Sequence, residues 1–570
     1  MVKQPESTYS RLGGMQFIEG WFSFLWWISG QWFLLSAQID ANRIFAAVAY
    51  VVVLIVIGLP LWWKTTEVYR VSLPYSRIAA LDNLDVTQGM NISISTLDTA
   101  RGDKLVADLN DIFKTSKWFQ LTFFALSLEK KYLASVHSLE DLENAPFQPR
   151  KVGELLLLEV PGLARFTANH VLVGLKRTVY FSSETTAVKL SEVLESWLLQ
   201  EKSLRQTVAA MTAPTETDQD QSGRRRMPAA EEYDIMITVV NPEPEKLQLN
   251  WDLPKAVQVY LEPLLHELSP VARYTVKSQW LYFVTLNVQP KLVADSSGYG
   301  RKHYALAEDI LPQIITPLEK KLASHVSRNP CLNFVVYVPP CEAAPLHIYR
   351  RQGVRVKGGV DAFLSPRWGG IVIHNPSSLI CHNTSVQPKE YSPDTVAVMG
   401  VFLAQFRLLM GIPELEEISR ADRLPLSVVS LGDWELDSLL RVRTMEQLTS
   451  ARLTLQSLSQ LLSEISNIVI NDAVGDSVYR AVDCVERAAK LLKIGQLDRA
   501  FNDSKEAFLS AEAAFTDPSL LALLYFPDDQ KYAVYIPLFL PVMIPVILSL
   551  KNIYAWFSGR INSKSKLKED

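Results

Sequence analysis

By type, the residues best suited to nucleophilic or metal chemistry are four cysteines: Cys331, Cys341, Cys381 and Cys484. No pair has the C-x-x-C spacing of a metal or redox site. A thiol nucleophile needs a base within hydrogen-bond reach, and the adjacency of His382 to Cys381 in sequence does not supply that geometry. Cys331 and Cys341 bracket a predicted strand and would lie roughly 30 Å apart along an extended chain. A bridge between them requires the Pro339-Pro340 turn to fold back sharply. The expectation for each thiol is a structural or incidental role. The zinc motif HExxH, the phosphate-binding P-loop and the nucleophile elbow GxSxG are absent. No cofactor and no metal are therefore expected. Ser365-Pro366-Arg367-Trp368-Gly369-Gly370 carries the Gly pair of a tight backbone feature, and reads as a structural turn or a binding loop. Arg224-Arg225-Arg226 reads as a solvated loop run or a processing or phosphate site. N-x-S/T sequons occur at Asn91, Asn383 and Asn502. Asn383 follows a loop-like run and is the best acceptor. Asn91 falls in a predicted strand and Asn502 in a predicted helix.

Two long apolar runs frame these residues. Tyr532 to Leu550 contains no charge, and neither does Ile44 to Trp63. Each is about the ~20 residues a helix needs to cross the hydrocarbon core. Arg43 and Lys64 bracket the first, and Trp62-Trp63 suits the membrane interface. The second holds Pro537, Pro541 and Pro545 at i, i+4 and i+8, on one helical face. Each proline removes a donor and frees a carbonyl, which in lipid needs a partner. Packing of this face on helices of another protein is one reading. A bent helix satisfied locally, or against the first span, is the other. The plan is an aromatic-rich extension (1–43), a span (44–63), a large domain (64–531), a second span (532–550) and a basic tail (551–570). Phe17 to Gln38 contains Trp21, Trp26, Trp27 and Trp32, and reads as a third span, a signal-like segment or an interfacial helix.

The large domain reads as α/β, a mixed sheet with flanking helices, followed by a helical bundle. Within 65–210, strands are expected at 90–95, 118–126, 155–160 and 171–181, and helices at 104–117 and 187–204. Residues 212–232 form a polar loop. In 233–430, strands are expected at 233–240, 280–288 and 332–338, and helices at 251–267, 304–322 and 396–410. From 431 to 516, leucines, valines and phenylalanines recur at three and four through three helices, which should pack as a bundle. At 570 residues and net charge −4, the whole does not have the charge of a nucleic-acid binder.

Two spans put both termini on one side. The tail carries Lys551, Arg560, Lys564, Lys566 and Lys568 against Glu569 and Asp570, while Asp528-Asp529 precede the second span with only Lys531. The positive-inside rule then puts the tail in the cytosol and the large domain in the lumen.

Several stretches together resemble one family. They are Gly58-Leu-Pro-Leu-Trp-Trp-Lys-Thr-Thr-Glu67, Leu73-Pro-Tyr-Ser76, Asn333-Phe-Val-Val-Tyr-Val-Pro339, Ser365-Pro-Arg-Trp-Gly-Gly-Ile371 and Val401-Phe-Leu-Ala-Gln-Phe-Arg-Leu-Leu409. Then come Trp434-Glu-Leu-Asp437, Ile465-Ser-Asn-Ile-Val-Ile470, Asp517-Pro-Ser-Leu-Leu521 and Tyr525-Phe-Pro-Asp-Asp-Gln-Lys531, through to Pro541. In this order they resemble the phosphatidylinositol-glycan class S (PIG-S) family, subunits of the glycosylphosphatidylinositol (GPI) transamidase. The likeness runs from about 44 to 550 and is loosest between 90 and 230.

The resemblance implies a glycoprotein of the endoplasmic reticulum membrane with two spans and a luminal domain. The complex it implies cleaves a C-terminal signal from a proprotein and joins the new end to a GPI lipid. Its catalytic Cys and His belong to a caspase-like subunit, so this chain would be a non-catalytic subunit that assembles and positions the complex. Asn383 sits where the family carries a sequon; a second family sequon, near Arg273, is absent here. The competing readings are a stand-alone luminal hydrolase or transferase, and a proprotein- or lipid-recognition subunit of the same complex.

Overall fold

The computed structural model describes residues 39–66, 69–127, 138–165, 167–212, 225–294, 302–350, 355, 360–381, 389–424, 430–465, 468–521 and 528–566. Asn383, His382, Arg224 and the aromatic stretch 17–38 lie outside them. The chain forms two units, Ser72–Glu464 with Asp472–Asp517, and Met1–Val71 with Ile465–Asn471 and Pro518–Asp570.

The two main sheets of the larger unit share a five-strand order. The first half supplies β1 (Gln88–Ser95), β2 (Phe119–Ala125), β3 (Glu154–Glu159), β4 (Val171–Val173) and β5 (Thr178–Phe181), in the spatial order β4-β5-β3-β1-β2. The second half supplies β6 (Glu232–Asn241), β7 (Leu247–Leu249), β8 (Arg273–Tyr282), β9 (Lys291–Ala294), β10 (Lys302–Ala307) and β11 (Cys331–Tyr337). β12 (Leu346–Tyr349), β13 (Asp361–Ser365), β14 (Gly369–Ile373), β15 (Lys389–Tyr391) and β16 (Ala421–Arg423) follow. Its main sheet runs β13-β14-β11-β6-β8. In each half the first strand lies between the second and third, parallel to both. The fifth is parallel to the third and has an antiparallel hairpin partner on its other side. Each first strand reaches its neighbour through a crossover helix, Thr99–Phe113 or the 253–267 helix, as parallel pairing requires. The halves are thus a structural repeat. β16 joins the first sheet beside β4, while β12-β10-β9 and β15-β7 form small sheets in the second half.

Buried runs of β-branched and leucine side chains make β3, β6 and β11 interior strands. Some expectations shift. Residues 171–181 form a hairpin rather than one strand, because Gly174 turns the chain and its N–H donates to Thr178 O at 2.9 Å. The 187–204 helix widens to a π turn at Leu194–Leu199 and breaks at Gln200, whose φ is 51°. The strand expected at 280–288 begins at Arg273; its polar alternation reflects an edge position. The helix expected from 304 starts at Leu311, and β10 takes the preceding residues.

Helices Asp433–Glu464, Asp472–Lys493 and Leu497–Phe515 form the bundle, the third lying against both others. The first of them is buried nearly all round between Trp434 and Thr449. It bonds to both halves. Trp434 Nε1 donates to Gly174 O at 2.9 Å, and Arg441 donates to Leu198 O at 3.1 Å. On the other side Arg407 donates to Glu435 at 2.6 Å, and Arg443 donates to Met410 O at 2.9 Å.

In the smaller unit, helix Ile39–Val53 continues through a π turn (Leu54–Gly58) into Leu59–Thr66 and packs on helix Asp528–Lys566. Among the described residues, one helix is long and apolar enough to cross a membrane, Ala533–Lys551. The expectation of two spans is met for one. The other expected span is helical, but its apolar part, Val48–Leu61, is shorter and contains a π turn at Leu54–Gly58. Arg70 bridges to Ile470 in parallel, with Val71 N–H donating to Ile470 O at 3.1 Å.

Candidate functional site

The Ser365–Trp368 turn joins β13 to β14 and has two sides. Trp368 is buried in the second-half core with Val335, Ile371 and Ile314. Its carbonyl accepts from Asn333 N–H at 2.9 Å. Gly369 has φ +150, and a Cβ there would lie 1.8 Å from Asn333 O. A Cβ at Gly370 would lie 2.0 Å from Gln405 Oε1. The Gly pair thus lets β14 seat between β11 and helix Thr395–Met410. Pro366 and Arg367 are exposed, and Arg367, at φ 57°, donates its N–H to Arg225 O at 3.1 Å.

Arg367 lines a cleft of about 690 Å3. Helix Glu201–Thr212 supplies Thr207, Ala210 and Met211, the returning chain supplies Arg226, Pro228 and Ala229, and the bundle supplies Glu446, Ser450, Phe508 and Glu512. Arg226 is buried and donates to Thr207 Oγ1. Glu446 sits between two guanidiniums: Arg226 at 3.7 Å and Arg443 at 2.9 Å. Burial, and then the like charge of Arg443, hold Arg226 below its ordinary value against the pull of Glu446. Burial also opposes the charge on Arg443, but Glu446 and two tyrosines raise it overall. Arg443 Nη1 donates to Met227 O at 2.9 Å, which fixes the chain leaving the arginine run. A substituent at Gly411 would meet Arg226 Cδ at 2.3 Å. The cleft has an apolar wall and charges of both signs.

The thiols are not set up for attack. Cys341 and Cys381 form a disulfide with Cα atoms 5.2 Å apart, a pairing across 40 residues that spacing alone did not reveal. It replaces the Cys331–Cys341 bridge weighed from sequence. Cys331 is pushed up to about 11 by burial and by the Asp234 carboxylate. Burial raises the Cys484 thiol too, although Arg487, whose Nη2 lies 3.1 Å from Sγ, opposes the shift. His374 is committed to structure: Asp394 N–H donates to its Nε2 at 3.1 Å and Nδ1 faces Tyr391 Oη. Among the described residues no group of His, Cys, Asp and Glu is arranged to hold a metal.

The remaining sequence-selected residues are scattered. Asn91 is exposed on β1 beside Arg150, Lys151 and Asp498. Asn502 is exposed on helix Leu497–Phe515, while Ser504 of its sequon is buried and donates to Gln447 Oε1 at 2.7 Å. Asn383 lies outside the described residues. Pro537, Pro541 and Pro545 are exposed. Among the described residues, Val51 and Val546 are the buried side chains of the two apolar helices. Tyr535, Phe539 and Ser549 are half-buried on the Val546 side of their helix. At 100° per residue, Pro537 and Pro541 project roughly away from that side and Pro545 lies on its flank. The residues that sequence reading missed, Thr207, Glu446 and Glu512, are far apart in the chain and polar on otherwise ordinary helices.

Residues 49–560 match the family model of the phosphatidylinositol-glycan biosynthesis class S protein. The chain is 38% identical over 541 residues to the "GPI-anchor transamidase component PIGS" of Rattus norvegicus, covering 89% of this chain and 94% of that one. It is 38% identical over 534 residues to the Homo sapiens protein of the same name, with the same coverage. It is 25% identical over 495 residues to the "GPI transamidase component PIG-S homolog" of Schizosaccharomyces pombe, 85% of this chain and 79% of that one. With the family model matching nearly the whole length, the chain belongs to the phosphatidylinositol-glycan biosynthesis class S protein family.

Proposed function

We propose that this chain is a non-catalytic subunit of the GPI transamidase complex, supporting attachment of GPI anchors to proprotein C-termini in the endoplasmic reticulum. The family match over residues 49–560 carries this reading. Catalysis then resides in a caspase-like partner, which receives the proprotein signal and the GPI lipid while this chain assembles and positions the complex. The large domain lies in the lumen and the basic tail in the cytosol, with spans at 44–63 and 532–550. The Cys341–Cys381 disulfide favours an oxidising compartment for that domain.

The test is rescue of surface GPI-anchored protein in cells lacking this subunit, comparing wild type with Cys331→Ser/Cys484→Ser. That pair leaves the disulfide intact. Rescue by both is expected. A well-expressed, assembled double variant that fails would make a thiol necessary and overturn the non-catalytic reading. Failure of the wild type where a close relative rescues would overturn the subunit assignment.

A further inference from the structure

β8 is an open edge. It pairs with β6 on one side only and ends the five-stranded sheet. Arg273 N–H donates to Glu231 O at 3.0 Å and Phe283 N–H to Asn241 O at 3.1 Å, which fixes the alternation of the parallel ladder. The main-chain groups of Arg273, Thr275, Lys277, Gln279 and Leu281 face β6. Those of Tyr274, Val276, Ser278, Trp280 and Tyr282 face away, and no main-chain partner meets them among the described residues. At 10 residues the strand is well above the usual ~5–6.

Open edges are ordinarily blunted by proline, a bulge or free charge. This strand has neither proline nor bulge: its register with β6 is unbroken from Arg273 to Tyr282. Its two cations are engaged sideways by acids of the neighbouring strand β6, Arg273 with Glu232 at 2.7 Å and Lys277 with Asp234. At its end stand two exposed aromatics, Tyr282 at 49% and the following Phe283 at 67%, residue types enriched at interfaces.

We propose that the outer edge of β8 receives an extended segment of another subunit of the transamidase complex, which adds to the sheet as a further strand. The proposal rests on the reading of this chain as a subunit of that complex. The row of unpaired donors and acceptors fits a β-strand. One side of that strand meets Val276, Ser278, Trp280 and Tyr282 and is mostly apolar. The other meets Thr275, Lys277, Gln279 and Leu281 and is mostly polar. A second copy of this chain suits the site less well, since β8 carries two cations and no carboxylate of its own and would present that row to itself.

The test is Ser278→Pro in the full-length chain, expressed in cells lacking the endogenous subunit. The Ser278 N–H faces outward, so proline there removes a docking donor without removing a bond to β6. Phe283→Ser is a second variant that leaves the backbone alone. The readouts are co-purified transamidase subunits identified by mass, and amide exchange of β8 in the free chain and in the assembled complex. Loss of co-purified subunits by about tenfold for Ser278→Pro, with unchanged melting temperature, is expected, together with a smaller loss for Phe283→Ser. Slowed exchange at Val276, Ser278 and Trp280 on assembly is expected as well. Normal co-purification of a folded Ser278→Pro, with equal exchange in both states, overturns the proposal while the subunit reading stands. If Ser278→Pro misfolds, the exchange comparison on wild type decides alone. A wild-type chain that recovers no transamidase subunit overturns the subunit reading itself. A wild-type homodimer that Ser278→Pro dissolves, with subunit co-purification intact, overturns the choice of a different chain as occupant.

Discussion

Asp437 accepts from Arg177 through both carboxylate oxygens, at 2.7 and 2.8 Å, and from Gly153 N–H at 3.1 Å. Its side chain is fully buried and that of Arg177 is 7% exposed. Without Asp437, Arg177 keeps only the half-exposed Asp433 at 3.2 Å, and a buried charge that loses its main partner costs several kcal/mol. Burial opposes the charge on Arg177, and the Asp437 hydrogen bond nevertheless raises it above its ordinary value. Asp437→Ala should therefore destabilise the large unit by about 3–5 kcal/mol. Replacing both partners with apolar residues of similar volume should recover much of that loss. Thermal melts of the single and double variants check it; equal losses in both would mean that packing rather than the stranded charge sets the cost. Asp437 belongs to the Trp434-Glu-Leu-Asp437 stretch that carries the family resemblance. The pair gives that stretch a physical role, which is to fasten the bundle to the first sheet.

At the scale of elements, β8 is held to β6 by side chains as well as by its ladder. Asp234 on β6 is buried and accepts from Lys277 Nζ and Ser327 Oγ, while the Asn329 amide donates to Glu232 at 3.3 Å. Burial pushes the Asp234 carboxyl up, but Lys277 and Ser327 outweigh it and leave the group below the usual range. A depressed carboxyl stabilises the fold above its unfolded value of about 3.9 and loses that contribution as pH falls through the folded value. With Lys277 about half exposed, the contribution is about 1 kcal/mol. Asp234→Asn should lower the melting temperature near pH 7, and the gap from wild type should close below about pH 4. A gap independent of pH would mean that the carboxylate charge is not what fastens the strand. The same strand shows where sequence reading stops. β6 and β11 are legible because their apolar runs face core on both sides. β8 is misplaced by the same reasoning, since Lys277, Ser278 and Gln279 look like a loop when they in fact lie at an edge. Helix Asp433–Glu464 misleads in the opposite direction. Arg441 and Arg443 look like a solvated face, yet each is buried with its carbonyl partners on a different half. The repeat in strand order is invisible in the sequence because it resides in pairing. The cleft at Arg367 is invisible because it gathers residues from 207 to 512.

At the scale of the whole chain, the prolines of the long C-terminal helix decide what its outer face can do. Pro537, Pro541 and Pro545 leave the carbonyls four residues earlier, at Ala533, Pro537 and Pro541, without a helical donor. The nearby serine does not help: Ser549 Oγ donates to Val546 O, on the other side of the helix. Helix Ile39–Val53 does not cover them either, because the prolines are exposed and the buried valine of this helix, Val546, lies away from Pro537 and Pro541. Lipid tails offer no donors, and each unsatisfied carbonyl in hydrocarbon costs several kcal/mol. Small or polar residues on a helix from another chain would supply both close approach and donors. Photo-crosslinking side chains at 538, 541 and 545 should therefore join this chain to other transamidase subunits in native membranes, whereas a probe at 546 should join it to its own 39–53 helix. Adducts with lipid alone from the proline positions, in a complex that is otherwise assembled, would mean that the helix satisfies its carbonyls by bending. The proline face would then contribute shape to this chain rather than a contact to the complex.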